Sequence, residues 1–212
     1  MDLQDVSMSR PGEKLQQKAA VLRDALGVTR LVELYGQFDP AWCLALLESA
    51  APTLEQLSVW DLDEAHLRVV HAMPRLRRLA VWSMVGLLDA QPPVLPALAQ
   101  GHTGLQWLRV KGLPRATTLS LMRAHGHSLE DLQLVVGTTF DGEWPQSGCS
   151  DLHSLIQQCG LRVLRRLVMW YTSPGIIHEA APCRQQRGRM RRVLPGAKVL
   201  CNVCDHLPGD PF

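Results

Sequence analysis

A short hydrophobic pattern recurs along the chain: an apolar residue, two intervening positions, a second apolar residue, one intervening position and a third apolar residue. Five copies keep all three apolar positions, at Leu54/Leu57/Val59, Leu76/Leu79/Val81, Leu105/Leu108/Val110, Leu129/Leu132/Leu134 and Leu164/Leu167/Met169. A degenerate copy lies at Leu31/Leu34, where Gly36 replaces the third apolar residue. The first leucines of successive copies are 23, 22, 29, 24 and 35 residues apart. Five good copies at this spacing indicate an internal repeat.

Each copy ends in alternating apolar positions, as expected of a short half-buried strand. Segments with helical periodicity separate the copies, and in one of them Leu67, Val70 and Met73 line one helical face. These segments are Asp39–Ser49, Asp63–Ala72, Pro93–Gln100, Pro114–His125 and Asp151–Cys159. Strand, helix and parallel strand at this period predict an α/β fold. Specifically, they predict a curved leucine-rich repeat solenoid with parallel strands on its concave face and helices or irregular segments on its convex face.

The two ends of the chain differ from the repeats. Residues 1–27 predict an N-terminal cap, because an amphipathic helix over Gly12–Leu26, with Ser9 as its candidate cap residue, could seal the first repeat. The repeat domain is expected over residues 28–203, closing with a strand at 198–203, and residues 204–212 form a C-terminal tail. A long loop at 137–151 and a shorter one at 86–96 interrupt the repeats, and the order of the long loop stays open.

The positions between the apolar residues should line the concave face, where equivalent residues of neighbouring strands lie about 4.8 Å apart. Tyr35 would then lie level with Ser58. Four of the six tryptophans would point away from the core: Trp60, Trp82, Trp107 and Trp170. Trp107 is expected to be the most exposed anchor and Trp170 to pack. Tryptophan and arginine often anchor protein interfaces, so the candidate partner-binding residues are Tyr35, Trp60, Arg78, Trp82, Trp107, Arg109, Lys111 and Asp131. The alternative is that the indoles fold over the strand ends and serve packing alone.

Composition narrows the class of protein. The 212 residues are 46% hydrophobic and 20% charged, which suits one folded domain with a sizeable core. A net charge of +2 indicates no strongly charged partner. The sequence has no stretch typical of a signal peptide or a membrane span, so we expect a soluble protein of the cytoplasm, the nucleus or both, with no membrane partner and mostly reduced cysteines.

The residues that enter each copy carry a family resemblance. The chain reads AAPTLEQL at 50–57, AMPRLRRL at 72–79, GHTGLQWL at 101–108, GHSLEDL at 126–132 and QCGLRVLRRL at 158–167. A small residue, Cys or Met followed by Pro or Gly, then x-L-x-x-L, resembles the cysteine-containing class of leucine-rich repeat. That class is common in the substrate-receptor domains of F-box proteins. Over residues 28–203, the resemblance implies a non-enzymatic protein-recognition module, as in the substrate-binding part of an F-box-type ubiquitin ligase.

The chain also departs from that family. An F-box begins with Leu-Pro and ends near Cys-x-x-Trp, and residues 1–30 lack both marks. Leu62, Met84, Gly137 and Thr172 stand where the family usually has Cys or Asn. A ligase adaptor is therefore expected as a partner only if an F-box exists outside this chain.

Two groups of residues have the ingredients of a metal site. Cys201-Asn-Val-Cys204 is followed by His206 and preceded by Cys183, but structural zinc usually takes two close pairs of ligands, and a strand would place Cys201 and Cys204 on opposite faces. The second group, His125-Gly-His127, favours a structural role, because the glycine indicates a turn and no third ligand is near. We expect no metal, no cofactor and no catalytic residue, and leave open whether Cys201, Cys204 and His206 bind metal.

A basic cluster supplies the alternative function. Five arginines fall within nine residues: Arg184, Arg187, Arg189, Arg191 and Arg192. Such a cluster could bind nucleic acid or a nucleoprotein, but no aromatic residues interleave, and cations near a helix C-terminus also stabilise the helix dipole. The sequence therefore favours a protein partner on the concave face. Nucleic-acid binding and a scaffold role without a discrete site remain the alternatives.

Overall fold

A computed structural model describes residues 1–83, 95–138, 144, 150–171, 178–205 and 207. In this part of the chain the fold is α/β. The helices are α1 (Gln4–Ser7), α2 (Leu15–Asp24), α3 (Pro40–Ala50), α4 (Glu64–Ala72), α5 (Arg115–Ala124), α6 (Leu152–Gln158) and α7 (Ala180–Val193). The strands are β1 (Arg30–Tyr35), β2 (Gln56–Trp60), β3 (Arg78–Trp82), β4 (Trp107–Lys111), β5 (Asp131–Val135), β6 (Arg166–Trp170) and β7 (Lys198–Cys201).

The described strands form one parallel sheet in the order of the sequence, from β1 to β7, and the sheet is not closed into a barrel. Each of the five complete repeat copies supplies one strand, as predicted. From β2 to β6 the register matches equivalent repeat positions, for example Leu57 with Leu79 and Trp60 with Trp82. Equal positions of successive repeats therefore lie side by side across the sheet.

Alternate strand residues face a continuous hydrophobic core. Leu57 and Val59 of β2 belong to this core and are fully buried, whereas Ser58 between them faces the other side of the sheet. The same alternation holds from β3 to β7, and the core also takes in apolar residues of the helices, such as Leu46 of α3. A strand with a period of two buries one face in this way.

Aspartates begin two of the predicted helices. The Asp39 carboxylate accepts a hydrogen bond from the Trp42 backbone N–H at 3.3 Å, at the start of α3. The Asp63 carboxylate accepts one from the His66 N–H at 3.0 Å, at the start of α4. Each carboxylate satisfies a backbone donor that has no partner within its helix, which is why these helices begin where the sequence predicted.

The N-terminal segment packs on β1. The Leu3 N–H donates to the Val32 carbonyl at 3.1 Å, and the Lys18 ammonium of α2 lies 2.7 Å from the Asp39 carboxylate in a buried ion pair. The expected cap at Ser9 is wrong. The Ser9 hydroxyl donates to the Val6 carbonyl, and α2 begins only after Lys14, which has a left-handed backbone conformation.

The predicted register of the first strand is also wrong. Tyr35 pairs with Trp60 and Arg30 with Gln56, so Tyr35 does not lie level with Ser58. The pairing is irregular between Leu31 and Leu34. The cause is a bulge, since Glu33 adopts a positive φ of 56° and Val32 bonds to the N-terminal residues instead of to β2.

Three further expectations concern segments between strands. The helix predicted at 93–100 is wrong where the structure describes it, because residues 95–100 are not helical. The last strand ends at Cys201 instead of Val203. Most of the loops at 86–96 and 137–151 lies outside the described residues, but the Trp144 indole of the long loop is buried in the core and donates to the Val135 carbonyl at 3.1 Å. Among the described helices, none is long and apolar enough to cross a membrane.

Candidate binding face

The sheet has a second face, turned away from the hydrophobic core, which we call the outer face. It carries the remaining strand positions, in three ladders that run across β2 to β6. The middle ladder contains Ser58, Ala80, Arg109, Gln133 and Val168 and is buried throughout. The two flanking ladders begin at Gln56 and at Trp60, and most of their members are half-buried. The large side chains of the flanking ladders are therefore the accessible part of this face.

An aromatic stack occupies one flanking ladder. The rings of Tyr35 and Trp60 lie 5.6 Å apart at 9°, and those of Trp60 and Trp82 lie 5.0 Å apart at 13°. The Lys111 ammonium continues the row, 5.5 Å from the centre of the Trp82 ring. Neighbouring strands are about 4.8 Å apart, so residues in register stack face to face. The Trp60 ring therefore stacks between Tyr35 and Trp82, and all three side chains are half-buried.

A buried arginine organises the centre of the outer face. The Arg109 guanidinium lies 4.3 Å from the Trp170 ring centre and 5.5 Å from that of Trp82. Its Nε–H donates to the Gln133 side-chain oxygen at 2.8 Å, and the Trp170 indole N–H donates to the same oxygen at 3.0 Å. Gln133 is fully buried, so this network fixes Arg109 and Trp170 in place.

Trp107 is not the exposed anchor that the sequence predicted. Its side chain is only 5% exposed, because the Arg78 guanidinium lies 4.8 Å from its ring centre and the Arg109 guanidinium lies 5.8 Å from it. Trp170, which was expected to pack, is half-buried. The repeat pattern gave the direction of these side chains correctly, but it could not indicate how neighbouring arginines cover them.

The candidate partner-binding residues are all on the outer face, but not all are accessible. Asp131 forms an ion pair with Arg166 of the next strand, at 2.8 Å. The half-buried members, which a partner could touch, are Tyr35, Trp60, Arg78, Trp82, Lys111 and Asp131. The buried members are Trp107 and Arg109. The two buried members pack against accessible ones, because Trp107 contacts Arg78 and Arg109 contacts Trp82.

The basic cluster lies on α7. Arg187 is partly buried and pairs with Asp205 at 3.1 Å, so it serves packing. Arg184, Arg191 and Arg192 are exposed. Two acidic residues of the loop at 137–151, Asp141 and Glu143, could pair with these arginines in sequence terms, but both lie outside the described residues.

Three cysteines and a histidine come together at the C-terminal end of the sheet. They are His178, Cys183, Cys201 and Cys204, which we call the thiol–imidazole cluster. The expectation that Cys201 and Cys204 point to opposite faces is wrong, because β7 ends at Cys201 and the chain turns over residues 202–205. The sequence reasoning missed His178, whose distance from Cys183 is short enough to have suggested a second ligand pair. His206, the histidine considered instead, lies outside the described residues.

His125 is buried inside the fold and has a structural role. It is fully buried, its Nδ1 accepts a hydrogen bond from the Leu105 N–H at 3.1 Å, and its ring packs against those of His71 and His102. Burial, reinforced by these neighbouring histidines, lowers the pKa of His125 from 6.5 to about 3. The imidazole is therefore neutral near pH 7 and holds the segment that leads into β4.

No protein-family model, curated protein or solved structure matches the chain. Two arrangements stand out among the described residues: the cation-flanked aromatic stack of the outer face and the thiol–imidazole cluster.

Proposed function

We propose that this chain is a leucine-rich repeat solenoid of the cysteine-containing class that binds a protein partner without catalysing a reaction. The proposal is supported by the parallel strands in sequence order and by the side-by-side positions of successive repeats. In such a solenoid the outer face would be the concave surface that repeat proteins use for binding.

The aromatic stack is the observation that carries the proposal. Tyr35, Trp60 and Trp82 are half-buried aromatic side chains of the parallel sheet, and they are aligned in one row outside the hydrophobic core. Stacking and the buried Arg109 network restrict their rotamers before any partner arrives. Little side-chain entropy is then lost on binding, which favours affinity. Large aromatic side chains with neighbouring cations are also the commonest anchors of protein interfaces.

The family resemblance suggests what kind of partner this is. In the substrate-receptor domains that the repeats resemble, the concave face selects a protein for a ubiquitin ligase. We propose the same class of role here, with a ligase adaptor engaged only through an F-box outside this chain. The proposed location is the cytoplasm, the nucleus or both.

Affinity capture from cell extract with matched charge reversals tests the proposal. Lys111→Glu changes a half-exposed cation at the end of the stack, and Arg192→Glu changes an exposed cation on α7. Partner proteins should be lost with Lys111→Glu and retained with Arg192→Glu, while both variants melt close to the wild type. Equal retention by both variants would refute the outer face as the binding surface and would leave the scaffold role.

Nucleic-acid binding through α7 is the second candidate, favoured by the exposed Arg184, Arg191 and Arg192. The same experiment separates the two, because the nucleic-acid hypothesis predicts loss with Arg192→Glu. It also predicts affinity for RNA or DNA that falls steeply with salt concentration, since phosphate contacts release counterions. If the partner instead contacts the aromatic side chains of the outer face, its affinity should depend only weakly on salt concentration.

A further inference from the structure

The thiol–imidazole cluster combines residues from three neighbouring segments. His178 lies just before α7, Cys183 lies in the first turn of α7, Cys201 ends β7, and Cys204 lies in the turn after β7. In sequence these are two close pairs, His178 with Cys183 and Cys201 with Cys204. Two close pairs are the usual arrangement of ligands in a structural zinc site.

The ligand atoms converge on one point. His178 Nε2 lies 3.4 Å from the sulfur of Cys201 and 3.4 Å from that of Cys204. The sulfurs of Cys183 and Cys204 are 3.9 Å apart, and all four atoms lie within 4.8 Å of one another. A tetrahedral zinc ion, with bonds of about 2.3 Å to sulfur and about 2.0–2.1 Å to nitrogen, separates two sulfurs by about 3.8 Å and a sulfur from a nitrogen by about 3.5 Å.

We propose that His178, Cys183, Cys201 and Cys204 bind one structural zinc ion. The ligand set is three thiolates and one imidazole, a common set for zinc in structural sites. Four protein ligands fill a tetrahedral coordination sphere, so the ion would have no position for water or substrate and would serve structure. This inference is independent of the proposed function, because none of the four residues lies on the outer face.

The surroundings hold the ligands in place. The Cys204 N–H donates to the Cys201 sulfur at 3.3 Å, a contact that stabilises a thiolate. The Asp205 carboxylate accepts from the Cys201 N–H at 2.7 Å and pairs with Arg187, which fixes the turn against α7. The Tyr171 ring packs edge-on against the His178 ring, with 4.8 Å between their centres. Such supporting contacts orient metal ligands and raise metal affinity.

The burial of the thiols gives the ion a physical role. Cys183 and Cys201 are fully buried, and Cys204 is exposed, which leaves a path for the ion. Without a cation, three sulfur atoms and an imidazole nitrogen would lie within 4.8 Å of one another with no ion to join them. Zinc replaces the thiol protons and links the start of α7 to the end of β7. It would close the last repeat, where a solenoid otherwise exposes its core.

Metal analysis of the purified 212-residue chain tests the site. The protein would be expressed with zinc supplied, dialysed, and compared with Cys204→Ser, which removes an exposed ligand, and with Cys43→Ala, which removes a buried thiol far from the cluster. We expect about one zinc per chain in the wild type and in Cys43→Ala, and at least tenfold weaker zinc binding in Cys204→Ser. A chelator should lower the melting temperature of the wild type but not that of Cys204→Ser.

Cobalt replacement gives a second readout that does not depend on the folding of a variant. The wild-type chain loaded with Co²⁺ should show the visible bands of tetrahedral cobalt and a sulfur-to-cobalt charge-transfer band. Three results would each overturn the proposal: wild-type protein without stoichiometric zinc, a cobalt spectrum without thiolate bands, or an intact mass showing a disulfide among Cys183, Cys201 and Cys204.

Discussion

Replacing Trp82 by leucine distinguishes a role of this side chain in partner binding from a role in packing alone. Trp82 stacks on Trp60 at 5.0 Å, with Lys111 and Arg109 each 5.5 Å from its ring centre. The Trp82→Leu variant keeps an apolar side chain on the outer face but removes the stack and both cation contacts. It creates no cavity in the hydrophobic core, because Trp82 is not part of that core.

The expected loss of stability follows from these contacts. An aromatic pair contributes about 0.5–1.5 kcal/mol, and a cation over an exposed ring contributes about 0.5–1 kcal/mol. One pair and two cations therefore give about 1.5–3.5 kcal/mol. For a chain of this size, each kcal/mol lowers the melting temperature by about 2–4 °C. The folded variant should also lose about 2 kcal/mol or more of partner binding if Trp82 is an anchor.

Urea denaturation and partner capture, performed on the same preparations, measure both effects. Leu79→Ala is the matched control, because Leu79 lies on the same strand but faces the core and is 1% exposed. It should cost about 2–5 kcal/mol of stability and leave partner binding unchanged in the folded fraction. The reasoning is refuted if Trp82→Leu costs more than about 5 kcal/mol, a cost typical of the largest core truncations, or if it leaves binding unaltered.

Three other positions give independent predictions. Lys18→Met leaves the Asp39 carboxylate buried without its cation and should cost about 3–5 kcal/mol in urea denaturation; adding Asp39→Asn should recover part of that loss. Because the pKa of His125 falls from 6.5 to about 3 on folding, folding excludes a proton that the unfolded chain binds. The contribution of His125 to the free energy of unfolding is therefore complete above pH 6.5 and is lost as the pH falls toward 3. The acid limb of stability against pH should therefore be shallower for His125→Gln than for His127→Gln, and equal limbs would contradict this assignment. Gly112→Ala should lower the melting temperature, because Gly112 has a φ of 74° and a Cβ there would collide with the carbonyl of the residue after β3; an unchanged melting temperature would refute it.

The sequence predicted most of the sheet because each strand has a buried face. An apolar residue displaced by one position would move from the core to the outer face, so the alternation in Leu57-Ser58-Val59 fixes the register from β2 to β6. The aspartate caps of α3 and α4 are equally local signals. The outward direction of Trp60 and Trp82 followed from the same alternation.

The errors arose where distant residues decide the structure. The bulge in β1 depends on the N-terminal residues that bond to Val32. The burial of Trp107 depends on Arg78, a side chain of the neighbouring strand β3 that lies over its ring. The thiol–imidazole cluster depends on a turn after β7 that returns Cys204 toward α7. No pattern within a single repeat encodes these long-range contacts.

Site-specific photo-crosslinking in cells tests the binding role of the outer face most directly. A photoreactive amino acid would replace Gln56, a half-buried residue of the outer face, or Ala65, an exposed residue of α4 on the helical side. We predict a discrete crosslinked protein from position 56 that disappears when Lys111→Glu is added, and no such product from position 65. Equal products from both positions, or a product from position 56 that survives Lys111→Glu, would contradict recognition through this face.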